Sequence, residues 1–133
     1  MKKYILILTA VFSFGISAFA QTAKNNAVTN LSAERFKAII GNDKNGVIID
    51  LRTTDEMNKG FIKGAVQLDF SAENSEKEID KLDKNKTYYI YCQGGVRSAK
   101  AAEYMGKHDF KRVYNFEKGF SEWVKKGFPV EKK

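Results

Sequence analysis

"TYYIYCQGGVRSAKAAEYM", residues 87–105, changes its periodicity partway along. Thr87 to Tyr91 is aromatic and β-branched, and reads as a strand that ends at Cys92. From Ser98 onward helix formers dominate, with an apolar stripe of Ala101, Tyr104 and Met105 and enough alanine to let a helix lie close to a sheet. Between the two, Gln93, Gly94, Gly95 and Val96 must turn the chain sharply before Arg97 and Ser98 enter the helix. Strand, glycine turn and helix in succession is the repeating unit of α/β architecture.

The same alternation extends in both directions. Upstream, Ser32 caps a helical pattern of Phe36, Ile39 and Ile40 that Gly41 is expected to stop, and "GVIID" (46–50) is a short apolar run suited to a strand buried on both faces. "TTDEMNKGF" (53–61) predicts a capped short helix turning at Lys59 and Gly60. "GAVQLDF" (64–70) predicts another strand, and "SEKEIDKL" (75–82) a short exposed helix with Ile79 and Leu82 on one face. Downstream, "RVYNF" (112–116) is the last clear strand and "KGFSEWVKKGFPVE" (118–131) a final helix with Phe120, Trp123 and Val124 inward. This order predicts a parallel sheet flanked by helices, joined by right-handed crossovers, with ligands bound beyond the carboxyl ends of the strands. Cys92 lies at that edge.

A turn built on Gly94 and Gly95 can aim successive backbone N–H groups inward, and the following helix adds the positive end of its dipole. A sulfur held there favours the thiolate. Free cysteine titrates at about 8.5, and helix N-termini or neighbouring cations bring it to about 3.5 to 7.5. Arg97 adds a permanent charge and a rigid fork of donors, either bracing the loop carbonyls or meeting an anionic substrate. His108, the one histidine, lies at the far end of the helix and reads as a surface residue outside the chemistry.

The chain has 133 residues and a net charge of +7. Its first twenty residues place Lys2 and Lys3 before an apolar run that ends in Ala18, Phe19 and Ala20, the layout of a secretory signal peptide cleaved after Ala20. Of 23 basic residues the leader would take two and no acidic ones, leaving 21 against 16, or +5. The expected organisation is a signal peptide over 1–20, a flexible lead-in over 21–27 and one domain over 28–131, located in the periplasm or secreted. Lysines alternate with carboxylates from Glu73 to Lys86 and after Glu117, a solvated surface rather than a nucleic-acid stripe. A single cysteine cannot form an internal disulfide; it is either a small buried apolar side chain or a reactive thiol. One Cys and one His do not make a zinc site, and Tyr88, Tyr89, Tyr91, Phe116, Phe120 and Trp123 read as core packing.

"CQGGVRS" (92–98) resembles the C-x-x-G-x-R-S loop of the single-domain rhodanese-like sulfurtransferases. Two further blocks are similar in the same order. "VIIDLRTTDEMNKGFIKGAVQLD" (47–69) resembles the family's Asp-x-Arg block, and "VYNFEKGFSEWVKKGFPVE" (113–131) its closing Gly, Trp and Gly-x-Pro-Val block. Phe61 and Lys63 stand where the family often has His and Pro, Asp109 replaces a usual glycine, and Lys118 stands in a usual Gly-Gly pair. Both Asp and a neighbouring glycine can still serve in such turns.

The resemblance implies the rhodanese-like three-layer α/β fold, a parallel sheet flanked by helices. It implies that Cys92 accepts sulfane sulfur as a persulfide and passes it to a thiophilic acceptor, needing no cofactor or metal. Gln93, Gly94, Gly95, Val96 and Arg97 would form the ring of amides around it, with Asp50, Arg52 and Ser98 in support. Asp50 and Arg52 have an alternative role as a structural ion pair with neighbours such as Glu56. Four residues separate Cys92 from Arg97, a ring smaller than that of related phosphatases and suited to one sulfur atom. The implied partners are a small donor, such as thiosulfate, polysulfide or a low-molecular-weight persulfide, and a thiol, cyanide-like or protein acceptor. Neither nucleic acid nor, after leader cleavage, membrane is expected. The rival reading is a non-catalytic binding module of the same fold, or a passive sulfur carrier.

Overall fold

The computed structural model describes residues 27–133; the expected leader and nearly all of the lead-in lie outside them. Five strands and five helices follow in strict alternation: β1 (Val28–Leu31), α1 (Ala33–Asn42), β2 (Val47–Asp50), α2 (Thr54–Asn58), β3 (Val66–Gln67), α3 (Ser75–Asp80), β4 (Thr87–Tyr91), α4 (Val96–Lys107), β5 (Arg112–Phe116) and α5 (Gly119–Lys125). The strands form one sheet in the order β1-β5-β4-β2-β3, with every pair parallel.

Side-chain alternation along the strands divides the core into two layers. On β4, Tyr88 and Ile90 face α3 and α4, where Ile79, Ala101, Ala102 and Met105 complete one cluster together with Cys92. Tyr89 and Tyr91 face the other way, onto Phe36 of α1 and Phe120 and Trp123 of α5. Phe36 stacks on Phe116 at 5.0 Å between ring centroids and meets Tyr89, Tyr91 and Trp123 edge-on. Burying each such ring is worth about 1.5–3 kcal/mol, so this aromatic layer is a principal source of stability.

Topology explains where the site lies. After β2 the chain leaves toward β3 on one side, whereas after β4 it leaves toward β5 on the other. The carboxyl ends of these adjacent strands therefore open a crevice between diverging connections, the switch point at which ligands bind in open α/β sheets. Asp50, the last residue of β2, sits in register with Tyr91, the last residue of β4.

Local chemistry sets the helix boundaries. Ser32 Oγ accepts from the Arg35 N–H at 3.3 Å and Thr53 Oγ1 from the Glu56 N–H at 3.3 Å, so both expected caps are present. Asp109 adopts φ 66° at the turn between α4 and β5, a left-handed conformation that Asp tolerates better than most residues. At Lys118 φ is −86°; the positive angle falls on Gly119, at 73°, so the lysine occupies a position that never needed glycine.

Several details differ from the sequence reading: β3 keeps only Val66–Gln67 of the strand expected over 64–70, and α5 ends at Lys125 rather than at 131. The first strand, β1, was not anticipated: it is a sheet edge whose Thr29 and Asn30 are exposed and only Leu31 is buried, so it lacks an apolar signature. Helix α1 continues through Gly41 to Asn42 and is closed by the Asp43 N–H donating to the Ile39 carbonyl, so the glycine is not its stop. Val124 points outward, 51% exposed, because Phe120 and Trp123 already fill the inner face of the two-turn helix α5.

Candidate active site

Cys92 follows the last residue of β4 and is almost wholly enclosed, with 1% of its surface exposed. The loop turns over it. Gly95, at φ 101°, is the N-cap of α4, and its N–H donates to the Cys92 Sγ at 3.1 Å; the Ser98 N–H donates to the same sulfur at 3.4 Å. A side chain on Gly95 would be driven into the carbonyl oxygen of Glu117, so both its backbone conformation and its surroundings demand glycine. The Ser98 hydroxyl is within reach of the Gly95 carbonyl, at 3.2 Å, and of the sulfur, and its one proton serves either.

The carbonyls of the loop are held just as firmly. Cys92 and Gln93 offer theirs to the Phe120 and Ser121 N–H groups at the start of α5, at 2.8 and 3.0 Å. With its oxygens tied outward, the loop presents N–H groups to the sulfur. Burial alone would raise the thiol's pKa, but the Ser98 hydroxyl and the N–H groups of Ser98, Gly95 and Gly94 outweigh it, and the pKa lies below that of an ordinary cysteine. The α4 dipole acts in the same direction.

Asp50 and Arg52 form a buried pair under the loop. Arg52 Nη2 lies 2.7 Å from Asp50 Oδ2 and its Nε 2.9 Å from Oδ1, with both side chains essentially unexposed. The remaining Arg52 donors reach the Gly60 carbonyl at 2.7 Å, the Glu56 carbonyl at 3.5 Å and Gln93 Oε1 at 3.1 Å. Phe120 lies flat against the guanidinium at 4.0 Å. Burial opposes the charge on Arg52, but Asp50 more than offsets it and its pKa is raised. Tyr91 donates its hydroxyl proton to Asp50 Oδ2 at 2.6 Å and accepts from the Ile62 N–H at 3.1 Å. Burial and then the Asp50 charge push this phenol well above its ordinary range, so it remains a donor.

Arg97 makes a two-pronged pair with Glu56, Nη1 to Oε1 at 3.1 Å and Nη2 to Oε2 at 2.9 Å. Its pKa is raised chiefly by that carboxylate, with the Cys92 charge contributing further down the order.

The residues expected from sequence thus converge on one loop and one strand end, with some roles redistributed. Ser98, expected only in support, donates to the sulfur directly; Gln93 turns its side chain to Arg52; Val96 is exposed on the outside of the turn. Asp50 and Arg52 pair with each other rather than with the Glu56 carboxylate, which Arg97 takes instead. Arg97 therefore braces no loop carbonyl. His108 caps the end of α4 and stacks on Tyr104 at 3.8 Å, as expected of a residue outside the site. Tyr91, Phe120 and Gly119 were not singled out as site residues; the only signal for them was their adjacency to the cysteine or to the closing block.

The chain is similar to several known proteins. The family model described as "Rhodanese-like domain" matches residues 32–126. Among curated proteins, YrkF of Bacillus subtilis, named as a candidate sulfur carrier protein, is 34% identical over 76% of this chain and 54% of its own. A tRNA uridine(34) hydroxylase of Pelagibacter ubique is 30% identical over 93% of this chain and 40% of its own. A sulfurtransferase of Allochromatium vinosum is 26% identical over 77% of this chain and 94% of its own. The chain spans about half, or less, of the first two. The crystal structure of a rhodanese-like domain protein from Staphylococcus aureus superimposes with a TM-score of 0.67 at 30% identity, covering 79% of this chain and 98% of that one.

Proposed function

The chain belongs to the rhodanese-like domain family, and from that premise we propose that it is a sulfurtransferase working through a persulfide on Cys92. The observation that carries this reading is the thiol beneath the Gly95 and Ser98 N–H groups, with its pKa lowered. Family membership and the sulfurtransferase among its relatives support the reaction class.

In the first step the Cys92 thiolate attacks the sulfane sulfur of a donor such as thiosulfate or polysulfide. A new S–S bond forms, and the donor's bond breaks with its electron pair on the departing group. The terminal sulfur of the persulfide carries the anionic charge, and the loop amides oriented toward the cysteine stabilise it without reorganisation. An acceptor nucleophile, a thiol or cyanide, then attacks that terminal sulfur and releases Cys92 as the thiolate. Its lowered pKa makes it a good leaving group.

The test is direct. Exposure to a sulfane donor should add the mass of one sulfur atom at Cys92, subsequent cyanide should yield thiocyanate, and Cys92→Ser should abolish both. Loading without turnover would favour the passive-carrier reading, which the name of YrkF supports, and no loading with any donor would favour a binding module. We also propose export to the periplasm or beyond, on the leader-like residues 1–20. The protein recovered from the producing cell should then begin at Gln21; recovery with Met1 in place would overturn that part.

A further inference from the structure

The guanidinium groups nearest the sulfur are already committed. Arg52 has spent its donors on both Asp50 oxygens, the Gly60 and Glu56 carbonyls and Gln93 Oε1. Arg97 is held at both ends by Glu56. Asp50 cancels one charge and Glu56 the other, so what faces an incoming donor is a ring of neutral N–H groups. Thiosulfate brings two negative charges next to the reacting sulfur, and sulfite leaves with two. Stripping water from such an ion at the loop, where both guanidinium charges are already neutralised, is costly.

Beside the loop lies an open depression lined by Glu56, Lys59, Gln93, Phe120 and Val124, with Arg52 at its floor. Its exposed apolar surface comes from Val124, Phe120 being buried, and the Lys59 ammonium has no ion-pair partner among the described residues. That surface suits a donor with a carbon body and a peripheral carboxylate.

Building on the sulfurtransferase reading, we propose that Glu56 and Gln93 are specificity-determining residues: by occupying Arg97 and Arg52 they set the site against thiosulfate and toward organic hydropersulfides. The donor reacts in its protonated form, R–S–SH, which is uncharged at its reacting end. Cys92 thiolate attacks the outer sulfur, the S–S bond breaks, and R–S⁻ departs with the electron pair, leaving Cys92–S–SH. At the reacting sulfur atoms only one negative charge is carried throughout, and it ends on a thiolate that bulk water can protonate. The carbon body of the donor rests against Val124, with its carboxylate toward Lys59.

The experiment compares glutathione persulfide with thiosulfate, reading both the sulfur mass on Cys92 and kcat/KM with cyanide as acceptor. In the wild-type protein the persulfide should be favoured by about tenfold or more, the scale of one charge-assisted contact. Glu56→Gln, which removes the charge that neutralises Arg97, should shift that ratio toward thiosulfate by about tenfold. Gln93→Ala, which frees an Arg52 donor, should shift it the same way and serves as the second variant should the first fold poorly. A wild-type preference for thiosulfate, or a ratio unmoved in both variants, overturns the assignment while leaving sulfur transfer intact. No loading from either donor removes the sulfurtransferase reading, and this inference with it.

Discussion

Tyr91 donates its hydroxyl proton to Asp50 across adjacent strands at 2.6 Å, in the residue pair that closes the register of β4 and β2. Through Asp50 the phenol is tied to Arg52, and through Arg52 to Gln93 of the loop. A buried ion pair and a hydroxyl thus link the floor of the site to its rim.

Arg52→Lys should be far from conservative. An ammonium cannot reach Asp50, Gly60 and Gln93 together, and it leaves the buried carboxylate incompletely paired. Loss of about 3 kcal/mol in a urea denaturation series is expected, the scale for disrupting a buried pair. A loss within experimental error would show that the pair contributes nothing to the fold.

Gly119→Ala should separate stability from chemistry. Its φ of 73° disfavours any side chain, and a methyl group would lie 2.7 Å from the carbonyl oxygens of both Cys92 and Gln93. A cost of about 1–3 kcal/mol is expected from the backbone alone. Because the clash falls on the loop, sulfur loading at Cys92 should drop further than the melting temperature predicts. Equal loading of wild type and variant under folding conditions would contradict that.

The Cys92 thiol should titrate below free cysteine, whose pKa is about 8.5. Thiolate absorbance in the ultraviolet reports this without requiring a reagent to enter the loop. Ser98→Ala should move the midpoint upward, since the hydroxyl is among the groups that lower it. The folded-state value is depressed, so the thiolate's contribution to stability is fully present above the unfolded pKa and disappears as pH falls through the folded one. The stability gap between wild type and Cys92→Ala should therefore widen as pH rises toward the free-cysteine value and then level off. A gap that narrowed over that range would reverse the assigned direction.

Two neighbours on α5 should behave oppositely. Trp123→Ala removes a 3%-exposed ring that packs against Phe36, Phe116 and Phe128, and should cost about 3–5 kcal/mol. Val124→Gln changes a side chain that faces solvent and should stay within about 0.5 kcal/mol. Thermal melts of the pair decide whether the helix presents the face described.

Most of the architecture was legible because its signals are local. β4 and α4 announce themselves through aromatic strand residues and alanine-rich helix residues on either side of a glycine turn, and the Ser32 and Thr53 caps follow from single side chains. β1 escaped because an edge strand with two exposed polar residues has no apolar alternation to read. Val124 was misplaced because helical spacing alone puts it beside Phe120, while the number of side chains the core can accept is a tertiary property. The Glu56–Arg97 pair joins residues 41 positions apart, and opposite charges at that separation carry no mark of their pairing. Ser98 was recognisable as a loop residue, but its direct donation to the sulfur depends on the pitch at which α4 begins.

The anchoring of the loop by the Phe120 and Ser121 amides also sets a schedule for the thiol. Those amides belong to α5, whereas the N–H groups that face the sulfur belong to the loop and to α4, so the thiol's donors and the loop's anchors come from different parts of the fold. Until α5 has docked, the carbonyls of Cys92 and Gln93 lack the partners that fix them. The final shape of the loop is thus acquired when α5 packs, after the cysteine's own strand and helix have met.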